Sequence, residues 1–238
     1  MIKTIYVFAY VIVSMIFLLP FGMFAMVFHF LGLRRIMSNF IYWFGHLWAQ
    51  LLIKITGCKV TVAGTENIPQ KGGVCFVSNH DGFFDIILLF AYCGRPVGFM
   101  AKKELIFIPF LNAWIYMVGG LYLDRGSVKK ALRSINKGVE RIKSGGSMII
   151  FPEGTRSKGR GLLPFHPGSL KLATASGVPI VPVALQGSYD VFEKTYRVTA
   201  AEVKITFCEP IDTATLPKEA KKAVLSDRIH SVINENLS

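Results

Sequence analysis

Two kinds of patterning divide the chain. The first is continuous: from Thr4 to Leu33 there is no Asp, Glu, Lys or Arg, a run longer than the ~20 residues that cross a bilayer as a helix. It does not read as a cleaved signal peptide, being too long and lacking a small-x-small cleavage site before a polar start. Pro20-Phe21-Gly22 interrupts it near the middle. Proline removes a helix hydrogen bond and glycine loosens the turn, so each half is shorter than a span. A second apolar stretch, Ile36 to Ile55, carries Tyr42, Trp43 and Trp48, residue types that favour a membrane interface. Its cation, Lys54, lies near the end, where it can snorkel. Lys3 precedes the first stretch and Arg34 and Arg35 follow it. A single tilted span would put one of these ends on the disfavoured side, so a helical hairpin dipping into one leaflet is the preferred reading.

Past Gly57 the pattern becomes short and alternating. Apolar, β-branched runs predict strands at Lys59–Ala63, Gly73–Ser78, Val97–Ala101, Gly120–Leu123, Ser147–Phe151, Ile180–Leu185 and Val203–Cys208. Between Ser127 and Lys143, Val128, Leu132, Ile135, Val139 and Ile142 recur at helical spacing, with Ser127 placed to cap the start and Gly145 just past the end. A last helix is expected over Lys218–Asn236. Strands alternating with helices predict an α/β fold, a three-layer domain with a mixed sheet, over residues 58–238, preceded by a membrane-anchoring helical segment over residues 1–57.

Composition adds charge to this picture. The 238 residues are 52% hydrophobic, with a formal net charge of +12 and a mean hydropathy of +0.44. Lys102 to Lys171 holds 13 Lys/Arg against 4 Asp/Glu, +9 of that total. A basic stretch in a chain with a lipid-embedded segment points to an anionic membrane lipid as partner. The helix-turn-helix, RNP and zinc-finger patterns that would point to nucleic acid do not occur. Cys58, Cys75, Cys93 and Cys208 are scattered with apolar flanks and read as buried, reduced thiols.

Candidate chemistry sits where predicted strands end, the place at which open α/β sheets hold ligands. The first segment is Ser78-Asn79-His80-Asp81-Gly82-Phe83-Phe84-Asp85. Five residues on a regular helix lie ~140° apart. His80 and Asp85 therefore meet only if His80 lies in the turn and Asp85 in the first turn of the following helix. The carboxylate would then hold one imidazole nitrogen and leave the other to take a proton. Asp81 reads as a turn or cap residue. The second segment, Phe151-Pro152-Glu153-Gly154-Thr155-Arg156-Ser157, offers a glycine turn, a hydroxyl and a guanidinium able to cradle a phosphate. Lys102 and Arg125 end two other strands. They either add positive charge to the same anion or form surface pairs with Glu104 and Asp124. Gly177–Val183 reads as a buried strand. A G-x-S-x-G elbow, a Walker loop and a Rossmann fingerprint are all missing, which argues against an acyl-enzyme and for direct attack by an activated hydroxyl.

Taken in order, Asn79-His80-x-x-x-x-Asp85, Lys102-x-Glu104-Leu105 with Pro109, Asp124-Arg125, Phe151–Ser157 and Val178–Pro182 resemble the glycerolipid acyltransferase family, in particular the bacterial 1-acylglycerol-3-phosphate acyltransferases. The resemblance covers about residues 57–210. It implies that the domain transfers an acyl group from acyl-carrier protein or acyl-CoA to lysophosphatidic acid at the cytoplasmic face of the cell membrane, without a cofactor or metal. His80 is then the general base and Asp85 its orienter. Glu153, Gly154, Thr155 and Arg156 belong to the glycerol-phosphate site, assisted by Lys102 and Arg125, and the motif near Pro179 shapes the acyl-chain site. Backbone amides around Gly82 or Gly154 are the candidate oxyanion donors. Two positions depart from the family pattern: Asn112 stands where glycine is common, and His166, in Phe165-His166-Pro167-Gly168, where lysine is. Alternatives are a related acyltransferase with another lysolipid or glycerol-3-phosphate as acceptor, a thioesterase, and a non-catalytic module that binds anionic lipid.

Overall fold

The computed structural model describes residues 1–166, 168–213 and 223–237. The N-terminal stretches form two helices, α1 (Ile2–Phe30) and α2 (Arg34–Thr56). Val7 packs with Leu52, Trp48 donates its indole N–H to Ser14 Oγ (2.8 Å), and Ala25 packs with Ile41. These pairings run antiparallel, so the helices form a hairpin. Helix α1 continues through Pro20, contrary to the expected interruption. The proline lacks only its own N–H, and the region is instead a packing site for α4 (Leu111–Met117). Trp114 donates its indole N–H to the Met15 carbonyl (3.0 Å), and a Cβ on Gly22 would lie 2.5 Å from Met117 Sδ. Residues 2–28 of α1 are long and apolar enough to cross a membrane. The outer face is bare of protein, with Ile5, Phe17, Phe24 and Phe30 each more than 60% exposed.

Gly57, at φ 72°, ends α2 with its N–H on the Lys54 carbonyl and turns the chain into the sheet. Seven strands follow: β1 (Lys59–Ala63), β2 (Val74–Ser78), β3 (Val97–Lys102), β4 (Leu121–Leu123), β5 (Ser147–Ile150), β6 (Ile180–Gln186) and β7 (Glu202–Phe207). Their order is β1-β7-β6-β2-β5-β3-β4. β6, β2, β5, β3 and β4 are mutually parallel, while β7 runs antiparallel to β6 and carries β1 with it. This is the mixed sheet expected from the alternating pattern. Val178–Pro182 enters β6 at the sheet's centre, where Ile180 and Val181 are fully buried. That matches a buried strand rather than a wall of an acyl-chain site.

Central strands are buried on both faces, so consecutive residues serve different layers. On one face Phe76, Phe99, Ile149 and Val181 pack with α2 and with α3 (Asp85–Tyr92). On the other, Cys75, Val77, Met148 and Ile150 pack with α5 (Val128–Lys143), α6 (Lys171–Ser176) and α7 (Ala223–Glu235). The predicted start of the last helix at Lys218 lies outside the described residues. Ser127 caps α5 by accepting the Lys130 N–H (3.4 Å). The apolar stripe of α5 fills the sheet face that the hairpin leaves open, so its exposed Lys129, Lys130, Arg133 and Lys137 point away from the hairpin. Packed layers are ~10 Å apart and the Debye length is ~8 Å at physiological salt. The α5 charge therefore lies on the opposite side of the sheet from the hairpin. All four cysteines are free, and burial pushes the Cys93 and Cys208 thiols up to about 11, keeping them protonated.

Phe76 is fully buried and packs edge-on against Phe207, with ring centroids 6.1 Å apart. Phe76→Ala removes the ring from the middle of the sheet and should cost about 3–5 kcal/mol, read as a lower thermal unfolding midpoint of the full-length protein.

Candidate active site

The site forms at the carboxyl ends of β2 and β5, which are neighbours. Where β2 ends, Asn79 takes the place of a strand residue. Its Nδ2 donates to the Leu185 carbonyl (2.7 Å) and its Oδ1 accepts the Leu185 N–H (2.8 Å), fixing the start of the loop. His80 Nδ1 then lies 2.6 Å from Asp85 Oδ2, because Asp85 is the first residue of α3. The Asp81 and Gly82 N–H groups already point at the same oxygen, at 2.7 and 3.0 Å. Oδ2 is thus an acceptor, Nδ1 carries the hydrogen, and Nε2 is left with a free lone pair. The imidazole stacks on Phe151 with centroids 4.1 Å apart, and its side chain keeps 19% exposure. Gly82 permits the tight turn, since a Cβ there would sit 2.9 Å from both Glu193 Oε2 and the Tyr189 N atom.

Asp85 is fully buried, and burial raises its carboxyl above the ordinary carboxylate range. His80, Ser188 and the Gly82 amide pull the other way. Ser188, itself buried, makes a short hydrogen bond to Asp85 Oδ1. Asp81, expected as a turn residue, is also buried and joins three loops. It accepts the Gly159 N–H (3.0 Å) and the Ser157 hydroxyl (3.3 Å) on Oδ1, and the Tyr189 N–H (3.1 Å) on Oδ2.

The second motif divides between support and surface. Glu153 is 1% exposed. Its Oε1 accepts the His80 N–H (2.7 Å) and its Oε2 the Leu163 N–H (3.1 Å), so this carboxylate braces the His80 loop and does not face a ligand. Burial pushes it up to about 7, against the pull of those two amides. Arg156 Nη1 lies 2.7 Å from Glu193 Oε1, and its guanidinium covers the Phe83 ring at 3.6 Å from the centroid. Glu193 Oε2 in turn accepts the Phe83 N–H (2.5 Å). Gly154, at φ 66°, lies under two further side chains: a Cβ on it would come within 2.7 Å of the His166 ring and 3.5 Å of Arg125 Nη1. Thr155 is exposed. Lys102 ends β3 with its ammonium 3.8 Å from Glu104, both well exposed, and no hydrogen bond or ion pair among the described residues joins it to the His80 loop. Lys103 and Lys130 pair with Asp124 instead, at 3.1 and 3.9 Å.

The structure thus brings together His80, Asp85, Glu153 and Arg156 in one network and sets Arg125 over Gly154, while Lys102, exposed at the end of β3, makes no hydrogen bond or ion pair to that network among the described residues. The amides of Gly82 and Gly154 themselves donate to Asp85 Oδ2 and the Phe151 carbonyl. Ser188 and Glu193 were missed because they follow β6, about a hundred residues from Asp85 and Phe83 respectively and, for Glu193, 37 from Arg156, with no local pattern to mark them. His166 carried a signal, standing where the family pattern commonly has lysine. Beside the network, an apolar cavity of about 150 Å³ lies between the hairpin and α3 and α4, lined by Leu18, Phe21, Phe44, Ile86, Phe90 and Trp114 among others. Its wall begins at Ile86, the residue after Asp85.

Residues 59–186 match the family model described as Acyltransferase. The 1-acyl-sn-glycerol-3-phosphate acyltransferase of Escherichia coli K12 is 30% identical over 196 residues, 82% of this chain and 79% of that protein. The Salmonella typhimurium protein of the same name is 32% identical over 177 residues, 74% and 71% of the two chains. That of Borreliella burgdorferi is 34% identical over 140 residues, 59% of this chain and 56% of its own length. Among solved structures, the crystal structure of the 1-acyl-sn-glycerophosphate acyltransferase PlsC from Thermotoga maritima superposes with a TM-score of 0.82 at 27% identity, covering 99% of this chain and 95% of that one.

The raised Glu153 value makes stability depend on pH. Between its unfolded value near 4.5 and its folded value of about 7, the folded state holds a proton that the unfolded state has released. Stability from this group therefore falls as pH rises through that window. Unfolding midpoints measured from pH 5 to 8 should show the advantage of the wild type over Glu153→Gln shrinking with pH. An advantage that grows with pH would contradict the assignment.

Proposed function

The chain belongs to the acyltransferase family, and on that premise we propose that it moves an acyl group from a thioester, carried on acyl-carrier protein or CoA, to the free sn-2 hydroxyl of lysophosphatidic acid. The observation that carries this reading is the His80–Asp85 contact at 2.6 Å, with Nε2 unengaged and partly open to solvent, in a chain whose relatives bear that activity in their names.

The acceptor hydroxyl hydrogen-bonds to His80 Nε2. As its oxygen attacks the thioester carbon, Nε2 takes the proton and the imidazolium is held by Asp85. The tetrahedral intermediate collapses by breaking the carbon–sulfur bond, and the leaving thiolate recovers the proton from Nε2. Ester and free thiol leave together, so atoms and charge balance. Holding two substrates in line supplies much of the rate, and proton transfer adds ~10²–10⁴-fold. The apolar cavity, whose lining includes Ile86 in the first turn of the helix that Asp85 begins, is the place we assign to hydrocarbon.

For the acceptor phosphate, the geometry favours the space over Gly154. Arg125 has no carboxylate partner among the described residues, whereas the charge of Arg156 is balanced by buried Glu193. Arg125, His166 and the remaining N–H groups of Arg156 are the donors we assign to the phosphate. We place the enzyme at the cytoplasmic face of the cell membrane, with its hairpin in one leaflet and anionic lipid as its surroundings.

His80→Ala should abolish transfer, measured with purified protein, labelled lysophosphatidic acid and each thioester donor, while its far-UV circular dichroism stays that of the wild type. Retained transfer would remove the general-base assignment. Ser188→Ala deprives Asp85 of a donor, which favours its neutral form and weakens its hold on the imidazolium. The acidic limb of the kcat/KM profile should therefore move, whereas a purely structural loss would lower the profile without moving it. Arg125→Ala should raise KM for lysophosphatidic acid by roughly tenfold or more, the worth of a charge-assisted hydrogen bond. An equal rise with a phosphate-free acceptor would contradict its role.

A further inference from the structure

Four large apolar side chains stand out from the domain just after β3: Ile106, Phe107, Ile108 and Phe110, at 40, 78, 44 and 43% exposure. They do not belong to a loose segment. Leu105 and Leu111 flank them and pack inward against the core. The Ile108 N–H donates to the Leu105 carbonyl (3.2 Å), and Asn112 Nδ2 donates to the Ile106 carbonyl (2.9 Å). The Asn112 carbonyl in turn accepts the Tyr122 hydroxyl (3.2 Å). Asn112, a departure from the family's glycine, thus braces this segment. Phe110 is held at φ 61°, a region that residues with a Cβ avoid. The fold fixes these side chains outward, where water solvates them poorly.

Their position identifies what covers them. Helix α4 follows directly and packs on α1 through Trp114 and Met117, so the patch lies beside the bare apolar face of the hairpin. At its other end Lys102 and Lys103 are exposed, the arrangement of cations next to aromatic groups found where a protein meets lipid headgroups. The segment leaves the carboxyl end of β3, the same sheet edge that carries His80. Phe83, 55% exposed, lies on that edge too.

We propose that residues 106–110 are a second membrane-inserting element, which together with the hairpin seats the catalytic edge of the domain on the bilayer. A single helical hairpin fixes depth but leaves the domain free to rock about it. A second point of insertion removes that freedom and turns the edge bearing Nε2 toward the interface, where a lysolipid presents its hydroxyl. The inference rests on the hairpin being lipid-bound, so the test reads the two elements separately.

Single cysteines at Phe107, Ile108, Phe17 on α1 and Lys137 on α5, in a Cys58→Ser background whose other cysteines are buried, would carry an environment-sensitive nitrobenzoxadiazole label. The full chain is bound to vesicles of phosphatidylethanolamine and phosphatidylglycerol, with or without lipid bearing a nitroxide near the top of its acyl chain. Labels at 107 and 108 should brighten several-fold on binding and be quenched by the nitroxide, as at 17, while 137 stays dim and unquenched. Labels at 107 and 108 that behave like 137 overturn the proposal. Quenching at 107 and 108 without quenching at 17 would show that the hairpin is not lipid-bound and overturn the two-point seating at that premise. Neither outcome bears on whether His80 acts as base.

Discussion

A carboxylate cut off from water must lose its charge or be surrounded by donors. Asp85 takes the second course, and the rest of the site follows from it. Its two oxygens face the His80 ring, the amides of Asp81 and Gly82, and the Ser188 hydroxyl. Three of these donors come from the loop that Asp85 itself terminates, so satisfying the charge constrains that loop's conformation. The fourth comes from the segment after β6, which makes the site depend on the sheet bringing β6 beside β2. In the proposed reaction, an imidazolium formed at Nε2 finds this negative partner already in place, with no reorganisation at the moment of transfer.

The same device recurs in the neighbouring carboxylates. Asp81, Glu153 and Glu193 are all buried, and each accepts backbone amides from loops other than its own. They act as ties between the ends of β2, β5 and β6, doing with charge-assisted hydrogen bonds what a hydrophobic core does elsewhere. Arg156 belongs to this scaffold as well as to the surface. Its pairing with Glu193 and its stacking on Phe83 hold one side of the guanidinium and leave the other outward. This explains why a motif that reads in sequence as a phosphate loop is, in three dimensions, mostly framework.

Strands were legible because each is a short β-branched run bounded by turn residues, and all seven predicted runs form strands within two residues of the expected limits. The α5 helix announced itself through its apolar spacing and its Ser127 cap. His80 and Asp85 were legible as a pair only on the assumption that α3 begins at the aspartate, which Gly82 makes sterically feasible. Long-range dependence set the limit. Ser188 acts on Asp85 103 positions away, and Glu193 on Phe83 and Arg156 at 110 and 37, and nothing near them in sequence betrays it. Pro20 misled because local propensity says break, while Trp114 and Met117 supply the packing that keeps α1 whole. The direction of the α5 charges is likewise a property of the sheet: which face a helix covers depends on strand order, and β1-β7-β6-β2-β5-β3-β4 cannot be read from one strand at a time.

That order has a further consequence. The hairpin, α3 and α4 cover one face of the sheet and the basic helix α5 the other, so the molecule has an apolar side and a water side. The catalytic edge lies between them, at the carboxyl ends of the parallel strands. An enzyme joining a lipid acceptor to a water-borne thioester needs both sides to reach one imidazole. Helix α3 shows how closely they are coupled. Its first turn begins with the carboxylate that orients His80, and the next residue already lines an apolar cavity shared with the hairpin. A helix that must satisfy a buried charge at its start and face hydrocarbon one residue later has little room to move. The His80 loop and the apolar cavity are therefore held in register by the same eight residues.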